Sequence, residues 1–582
     1  MSSFLRTHAF ALCFAVIVGI LTVLPSVLAP LALHDDYKGI QFIYLDDEDI
    51  YRARIHEILD GHPRVAAPFL YEYKNDPVIM LPINEYVYAI PALVFGLSFV
   101  MVAGKFLFPA LLFLLVYMLA IRLIPKEKEH EAMLVAICAG LLVVFGPNLL
   151  NYSTSIPLLM GTGHHEVLLL WTRTVNPIIG AVMLFGYLTL LWCVTLRKYR
   201  YAYIWTGVTL AITVGYFFTF AIALSILGAL MVIALVRKEY PMLKELCYVF
   251  LTSLVLDSPY WFNTLTAIGG KEGRAFAERN GMYFTHTPVF NKILICASLF
   301  FGISFLYAYV FKKDRVYIKE HVRTWLFLLA LLIGSWLAFN QQVITGREIW
   351  YHHFVQYTIP LALLVCIITS FLVWRRFLYK LWLVAIFMSM AICLWLGLAS
   401  ASSYEYKIAD FRTLQHYAPF FTMLDASPKD CVVLIKESDE EFERLIPAYS
   451  HCNVYTTTSA FFGITKERIV HNYLLRIRLL GIDSSQIHEY LIAHEDEVRG
   501  YFFTNWDQQF GHGEEPWILE RIASLEETYK QFSTENLKKQ LLTYKMDYLV
   551  SKEPLPPSLV LQLPGITLVN QVSGYFVYAF EK

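Results

Sequence analysis

Charged residues are scarce in this sequence of 582 residues: Asp, Glu, Lys and Arg make up 16%, whereas 57% of the residues are hydrophobic. The apolar residues fall in long blocks rather than in the short periodic runs of a soluble core, which indicates a membrane protein. The formal net charge is only -1, so the chain lacks the basic excess that neutralises nucleic-acid phosphates, and we expect no nucleic-acid partner. The sequence also lacks internal repeats of fixed period and low-complexity tracts.

The apolar blocks predict about eleven transmembrane helices, because a helix needs about 20 apolar residues to cross a bilayer. The first block, 10–33, is longer than the apolar region of a cleaved signal peptide, about 7 to 15 residues, and we interpret it as a retained span. The other predicted spans are 105–124, 132–150, 177–196, 203–216, 219–236, 246–268, 293–311, 324–340, 354–373 and 381–400. Segment 82–101 is apolar too, but as a span it would invert every later loop, so we predict a helix along the membrane surface.

Basic residues cluster at one end of the predicted spans, and cytoplasmic loops are enriched in Lys and Arg. The clusters are Arg122/Lys126/Lys128, Arg197/Lys198/Arg200, Arg237/Lys238/Lys244, Lys312/Lys313/Arg315/Lys319/Arg323 and Arg375/Arg376/Lys380. They predict a cytoplasmic N-terminus and an extracytoplasmic C-terminus. We therefore expect an α-helical polytopic membrane domain at 1–403, with a first outer loop at 34–104, and an extracytoplasmic α/β domain at 404–582.

The C-terminal part alternates between strand and helix patterns, which is typical of a small α/β domain. The predicted strands are 432–435, 453–457, 500–506, 547–550, 566–570 and 574–580, and the predicted helices are 466–478, 485–494 and 517–544. Cys431 and Cys452 directly or nearly precede two of these strands. Parallel neighbouring strands would bring their thiols close, and the predicted compartment permits oxidation, so we predict a disulfide.

Chemically active side chains gather in the first outer loop. If segment 46–59 is helical, Asp47, Tyr51 and Arg54 lie on one face at positions i, i+4 and i+7. A carboxylate, an aromatic ring and a guanidinium would then point the same way beside the membrane. The alternative for Asp47 is a solvated acidic cap that stabilises the helix dipole.

A longer series of residues in this loop occurs in an order that is similar to that of a known family. It consists of Asp47, Glu48, Tyr51, Glu57, Gly61, Pro68 and Lys74, the last shortly before Pro77. The order resembles the first periplasmic loop of the aminoarabinose and related RgtA-type sugar transferases of the GT-C clan, which are related to the protein O-mannosyltransferases. Where many relatives have Lys-Pro-Pro, this chain has Lys-Asn-Asp-Pro.

The resemblance implies a GT-C glycosyltransferase that inverts configuration. Its donor would be a sugar on a polyprenyl phosphate, and its acceptor a glycan, lipid or protein on the outer face of the bilayer. Asp47 would be the general base, with Glu48 positioning the acceptor or a divalent metal. Lys74 would bind the donor phosphate, and Tyr51 and Arg54 the substrate.

Two further outer segments contain candidate residues. His164, His165 and Glu166 could bind substrate, and His165 and Glu166 a divalent ion, although adjacent helical histidines point about 100° apart. Arg173 precedes a span, where it either binds the donor phosphate or anchors the chain at the interface. Arg347 follows a glycine, so it either contacts a phosphate or lies beyond a capped helix end.

Two other function classes fit a polytopic protein of this kind. A transporter or flippase of lipid-linked glycan would carry ionisable residues in mid-membrane, internal repeats and broken helices. Here the polar residues concentrate in the outer loops, which favours chemistry at the surface. An envelope assembly protein would leave the acidic loop unexplained.

Overall fold

The computed structural model describes residues 6–43, 47–76, 78, 80–125, 129–149, 160, 169–269, 285–310, 318–437, 439–457, 464–502 and 517–580. The first part of the chain is helical. Its helices are α1 (Ala9–Leu33), α2 (Glu48–Leu59), α3 (Ile83–Phe95), α4 (Leu97–Leu123), α5 (Glu129–Leu149), α6 (Ile178–Thr195), α7 (Ala202–Ile212), α8 (Phe217–Val236), α9 (Tyr240–Leu256), α10 (Ser258–Gly269), α11 (Lys292–Val310), α12 (Val322–Phe339), α13 (Gln341–Thr345), α14 (Tyr351–Leu372), α15 (Trp374–Phe377) and α16 (Tyr379–Ser402).

Within the described ranges, nine helices are long and apolar enough to cross a membrane: α1, α4, α5, α6, α8, α11, α12, α14 and α16. The chain is thus a multi-pass membrane protein, as predicted. Two of the eleven predicted spans are not among these nine helices, because their segments form shorter helices. Segment 203–216 forms the 11-residue α7 and a 3-10 turn, and segment 246–268 divides into α9 and α10 at Asp257, because Pro259 cannot donate a helical hydrogen bond.

The predicted surface helix 82–101 is shorter than expected. It ends at Phe95, because Gly96 adopts a positive φ of 79° that breaks the helix. The next helix, α4, begins at Leu97 and takes up the remainder, so the second span starts earlier than residue 105. On α3, Leu93 and Val94 are exposed while Asn84 and Glu85 are buried. The helix therefore has an apolar outer face, and its inner face is polar in the first turn.

The C-terminal part forms a five-stranded sheet flanked by helices, which confirms the predicted α/β architecture. The strands are β1 (Val432–Ile435), β2 (Asn453–Val454), β3 (Tyr548–Ser551), β4 (Ile566–Val572) and β5 (Tyr575–Phe580), in the spatial order β2-β1-β3-β5-β4. The helices are α17 (Ile408–Leu414), α18 (Ala418–Asp425), α19 (Glu440–Tyr449), α20 (Lys466–Leu479), α21 (Ile487–Ala493), α22 (Glu495–Phe502), α23 (Trp517–Phe532), α24 (Leu537–Leu541) and α25 (Pro557–Gln562). β1 pairs in parallel with β2 and β3, and β5 pairs antiparallel with β3 and β4.

Two predictions in this part were wrong. Residues 500–502 belong to α22 rather than to a strand, since Tyr501 and Phe502 both pack against Tyr473 from a helix; residues 503–506 lie outside the described residues. The predicted helix 517–544 is two helices, because Asn536 caps a new one: its side chain accepts a hydrogen bond from the Lys539 amide.

The predicted disulfide between Cys431 and Cys452 is present. Val432 of β1 lies opposite Asn453 of β2 in parallel register. The cysteines before these two residues therefore start side by side, with their Cα atoms 4.5 Å apart.

The predicted outer loop, residues 34–104, packs against the C-terminal part. Arg52 Nε in α2 donates to the carbonyl of Ala448 in α19 at 2.8 Å, and the Val454 amide in edge strand β2 donates to the carbonyl of Phe69 at 2.9 Å. The loop also contributes to the hydrophobic core of that part through Ile40, Ala53, Phe69 and Leu70. Helix α2 is consequently fixed between α19 on one side and α3 on the other.

Candidate active site

Asp47 precedes α2 and forms an ion pair with Arg173, which lies just before α6. The Arg173 side chain is 10% exposed and that of Asp47 is 41% exposed, so Asp47 lies at the edge of the site and the guanidinium lies behind it. Asp47 occupies the N-cap position of α2, yet its side chain makes no capping hydrogen bond. Within the described part of the chain, Asp47 Oδ1 and Arg173 Nε are buried without a hydrogen-bond partner. The pair therefore retains atoms that can bind a ligand.

Glu48 is buried behind Asp47 and connects three segments. Its Oε2 accepts a hydrogen bond from Thr174 Oγ1 at 2.6 Å and lies 2.8 Å from Lys105 Nζ. Lys105 belongs to the spanning helix α4, where an unpaired ammonium group would be costly. Glu48 thus holds α2 and the Arg173 segment against α4, and its predicted role towards an acceptor or metal stays a prediction.

Tyr51 and Arg54 follow on α2 and meet the polar face of α3. Arg54 Nε lies 2.5 Å from Glu85 Oε1, and the Tyr51 hydroxyl interacts electrostatically with both residues. Burial, followed by the neighbouring Tyr216, raises the pKa of Tyr51 well above its usual value. Arg173 also interacts with Tyr216, which brings the predicted substrate residues and the ion pair around one ring.

Three polar residues of this site were not predicted from the sequence. Asn84 Nδ2 donates to Asn176 Oδ1 at 2.6 Å, and Glu85 pairs with Arg54. All three missed side chains, Asn84, Glu85 and Asn176, are at most 1% exposed. Their signal in the sequence was faint: Asn84 and Glu85 are polar interruptions near the start of an apolar segment, and Asn176 precedes a proline.

The structure places Lys74 apart from the Asp47–Arg173 pair. Its Nζ lies 2.6 Å from Glu57 Oε2 and 3.5 Å from Asp430 Oδ1, and Glu57 is about 15 Å further along α2 than Asp47. Burial raises the pKa of Glu57 despite the attraction of Lys74. Burial favours the neutral form of Asp430 as well, but Lys74 and His62 outweigh it and lower its pKa. Lys74 therefore joins the loop to the C-terminal part, and its contact with a donor phosphate stays a prediction.

The remaining predicted site residues lie away from the Asp47–Arg173 pair or outside the described residues. Arg347 is on an exposed turn after α13, where Gly346 has a φ of 68° and caps the helix through its amide, as one alternative expected. His164, His165 and Glu166 lie outside the described residues. The described part contains one group of potential metal ligands, Cys431, His451 and Cys452, but both sulfurs are in the disulfide.

The sequence matches no protein-family model and no curated protein. The fold is similar to the crystal structure of ArnT from Cupriavidus metallidurans bound to undecaprenyl phosphate, with 12% identity, coverage of 98% of both chains and a TM-score of 0.45. It is also similar to the apo state of the same protein, with 12% identity, coverage of 91% of this chain and 93% of that chain and a TM-score of 0.42. ArnT is an aminoarabinose transferase with the GT-C fold, the family that the first outer loop resembles.

Proposed function

We propose that the protein is an inverting membrane glycosyltransferase. It transfers a sugar from a polyprenyl phosphate to a glycan, lipid or protein acceptor outside the cytoplasm. The observation that carries the proposal is the pairing of Asp47 with Arg173, because inverting transfer from a phosphate donor needs a carboxylate base beside a cation. Both residues were candidates from the sequence, where they are 126 positions apart.

The ion pair suggests the order in which the steps of the reaction occur. The donor phosphate competes with Asp47 for the Arg173 guanidinium, whose Nε lacks a partner within the described residues. Binding of the phosphate releases the Asp47 carboxylate, which accepts the proton of the acceptor hydroxyl. The acceptor oxygen bonds to the anomeric carbon from the face opposite the phosphate, and the carbon–oxygen bond to the phosphate breaks. Arg173 then balances the negative charge of the departing polyprenyl phosphate.

Glu48 acts in this scheme as a positioning residue. Its contacts with Thr174 and Lys105 fix the segment that carries Arg173 relative to α2. A displacement of about 1 Å between catalytic groups can cost about 100-fold in rate. The conservative variant Glu48→Gln should therefore lower turnover while leaving donor binding closer to normal.

The function is tested by mass spectrometry of lipid-linked and envelope glycans from a deletion strain. Loss of one sugar from the mature glycan, restored by the wild-type protein but not by Asp47→Asn, is the expected result. Accumulation of a complete lipid-linked glycan on the inner leaflet would identify a flippase instead.

The proposal requires the site to lie outside the cytoplasm, as the basic loops indicate. Reporters fused after Ser400 should be active only outside the cytoplasm. Reporters fused at Lys128 and Lys313 should be active only inside. Reversed activity at any two of these positions would contradict both the orientation and the proposed site.

A further inference from the structure

Buried side-chain atoms without hydrogen-bond partners concentrate around α2. Within the described residues they include Asp47 Oδ1, Arg54 Nη2, Asn84 Oδ1, Glu85 Oε2, Arg173 Nε and Asn176 Nδ2. Buried polar atoms in folded proteins are usually hydrogen-bonded, and each unpaired one costs about 1 to 3 kcal/mol. Such a concentration of enclosed, unpaired polar groups indicates an internal site that a polar ligand completes.

Four of these residues, Arg54, Asn84, Glu85 and Asn176, form a patch that the reaction scheme does not use. Arg54 pairs with Glu85 at 2.5 Å, and Asn84 bonds to Asn176 at 2.6 Å. Tyr51 interacts with Arg54, Glu85 and Asn176 and so connects the two pairs. We call these four residues the polar patch.

Gly215 packs directly against one side of the polar patch. A Cβ atom at Gly215 would lie 2.8 Å from Asn84 Oδ1 and 2.9 Å from Ile83 Cβ. Any other residue at this position would therefore press on the unpaired oxygen of Asn84.

The unpaired atoms of the polar patch are balanced in type and charge. Arg54 Nη2 and Asn176 Nδ2 are donors, whereas Asn84 Oδ1 and Glu85 Oε2 are acceptors. The positive charge of Arg54 offsets the negative charge of Glu85. A hydroxyl group both donates and accepts, so neighbouring hydroxyls can satisfy this mixture. An ammonium group would leave the donors unpaired, and a carboxylate would meet the oxygens of Asn84 and Glu85.

We propose that the polar patch binds the neutral, hydroxylated ring of a sugar, carried by either the donor or the acceptor. This inference rests on the proposed function and deepens it by assigning the chemical class of the sugar. It also assigns Asn84, Glu85 and Asn176 as specificity-determining residues.

The test measures binding of defined probes to the purified full-length protein in lipid nanodiscs. The donor probes are a short prenyl phosphate alone and the same phosphate linked to glucose, glucosamine or glucuronate. The acceptor probes are the methyl glycosides of the same three sugars. We expect the wild-type protein to prefer glucose in one of the two series, and that series identifies the source of the ring.

Two variants change the charge of the polar patch in opposite directions. Glu85→Gln leaves it positive, so it should bind the glucose probe about 10- to 100-fold more weakly and shift the preference towards glucuronate. Asn176→Asp leaves it negative and should shift the preference towards glucosamine. Prenyl phosphate alone should bind both variants as it binds the wild type. The control is Glu443→Gln, which removes a buried carboxylate from the C-terminal part and should keep the wild-type ranking.

The proposal is overturned if both folded variants rank the sugars as the wild type does, since the Arg54–Glu85 pair would then be purely structural. Absence of a preference for glucose in both wild-type series would overturn it as well. If only one variant folds, the proposal is decided by whether that variant shows its predicted shift in sugar preference. A failure of the proposed function is distinct, because prenyl phosphate alone would then bind equally to the wild type and to Arg173→Gln.

Discussion

The two faces of α2 differ in how fully their arginines are bonded. Towards the C-terminal part, Arg52 donates from Nε to the Ala448 carbonyl and from Nη1 to Gln41 Oε1, and its guanidinium stacks 4.0 Å from the Tyr449 ring. Towards α3, Arg54 pairs with Glu85 through Nε, and its buried Nη2 has no partner within the described chain. A fully bonded arginine holds the structure together, whereas a partly bonded one has donors left for a ligand. One face of this helix is therefore structural, and the other is the candidate site.

The largest expected difference between the faces concerns the two aspartates at the start of α2. Asp47→Asn is nearly isosteric but cannot accept the proton, so turnover should fall about 100- to 10,000-fold. The matched variant Asp49→Asn lies on the C-terminal side and should cost less than about 10-fold in turnover. The measurement is sugar transfer by membranes of a deletion strain that express each variant at equal level.

Donor binding should become tighter in Asp47→Asn, because the phosphate no longer competes with a carboxylate for Arg173, whereas the loss of the base lowers turnover. The variant should also insert and fold, since the Asn amide oxygen can still accept a hydrogen bond from Arg173, although the lost charge should cost about 1 to 3 kcal/mol. Near-normal transfer by Asp47→Asn would exclude it as the base. Loss in Asp46→Asn instead would shift the register of the loop by one residue.

Arg173 and Arg52 give the second comparison. Arg173→Gln should raise the donor concentration needed for half-maximal transfer about 10- to 100-fold, because it removes a charged hydrogen bond to the phosphate. Arg173→Lys keeps the charge and should retain part of the activity.

Arg52→Gln is the control for Arg173→Gln, because the Arg52 guanidinium is bonded to Ala448 and Gln41 and is not proposed to bind the donor. It should lower thermal stability while leaving the donor requirement close to normal. If Arg173→Gln needs the same donor concentration for half-maximal transfer as the wild type, Arg173 is an anchor at the membrane interface and does not bind the donor phosphate.

Substitution of Lys74 tests whether the C-terminal end of α2, where Glu57 lies, has a structural role. In Lys74→Met, the buried Glu57 loses its 2.6 Å partner, so the protein should become less stable by about 3 kcal/mol. The donor requirement should stay near that of the wild type. The double variant Lys74→Met/Glu57→Gln should recover stability, since no buried charge is then unpaired. A raised donor requirement with normal stability would instead support the phosphate contact expected from the family resemblance.

Much of the fold could be predicted from the sequence because its signals are local. Long apolar blocks define the spans, and β-branched residues define the strands around Cys431 and Cys452. The errors arose where a local pattern has two solutions. Segment 500–502 is aromatic enough for a strand, but tertiary packing made it a helix. The apolar segment 82–101 was divided by the backbone conformation of Gly96.

The candidate site was only partly predictable because its members come from distant segments. The i, i+4, i+7 spacing identified Asp47, Tyr51 and Arg54, since these residues share one helix. No sequence rule joins Arg54 to Glu85, or Asn84 to Asn176, which lies 92 positions away. These contacts depend on how α3 packs against α2 and on the path of the chain before α6.

Asp49 gives the smallest expected effect. Its buried Oδ1 has no hydrogen-bond partner within the described residues, although Asp49 lies on the same side of α2 as Arg52. Burial raises the pKa of Asp49 to about 7, although the nearby Arg444 opposes the shift. The charged groups facing it are Arg444, Glu48, Arg52 and Glu441. Its carboxyl group is therefore largely protonated below neutral pH, and a protonated oxygen can donate as well as accept.

The folded pKa of Asp49 lies above the unfolded value of about 3.9, so protonation stabilises the folded state. This contribution is complete below about pH 4 and is lost as the pH rises through about 7. Asp49→Asn resembles the protonated form and should flatten the decline, gaining on the order of 1 to 3 kcal/mol relative to the wild type at pH 8. Thermal unfolding from pH 4.5 to 8.5 measures the difference, with the exposed Asp35→Asn as a control that should follow the wild-type profile. A parallel decline in Asp49→Asn and the wild type would show that Asp49 is ionised in the folded protein, held by Arg444 and Arg52.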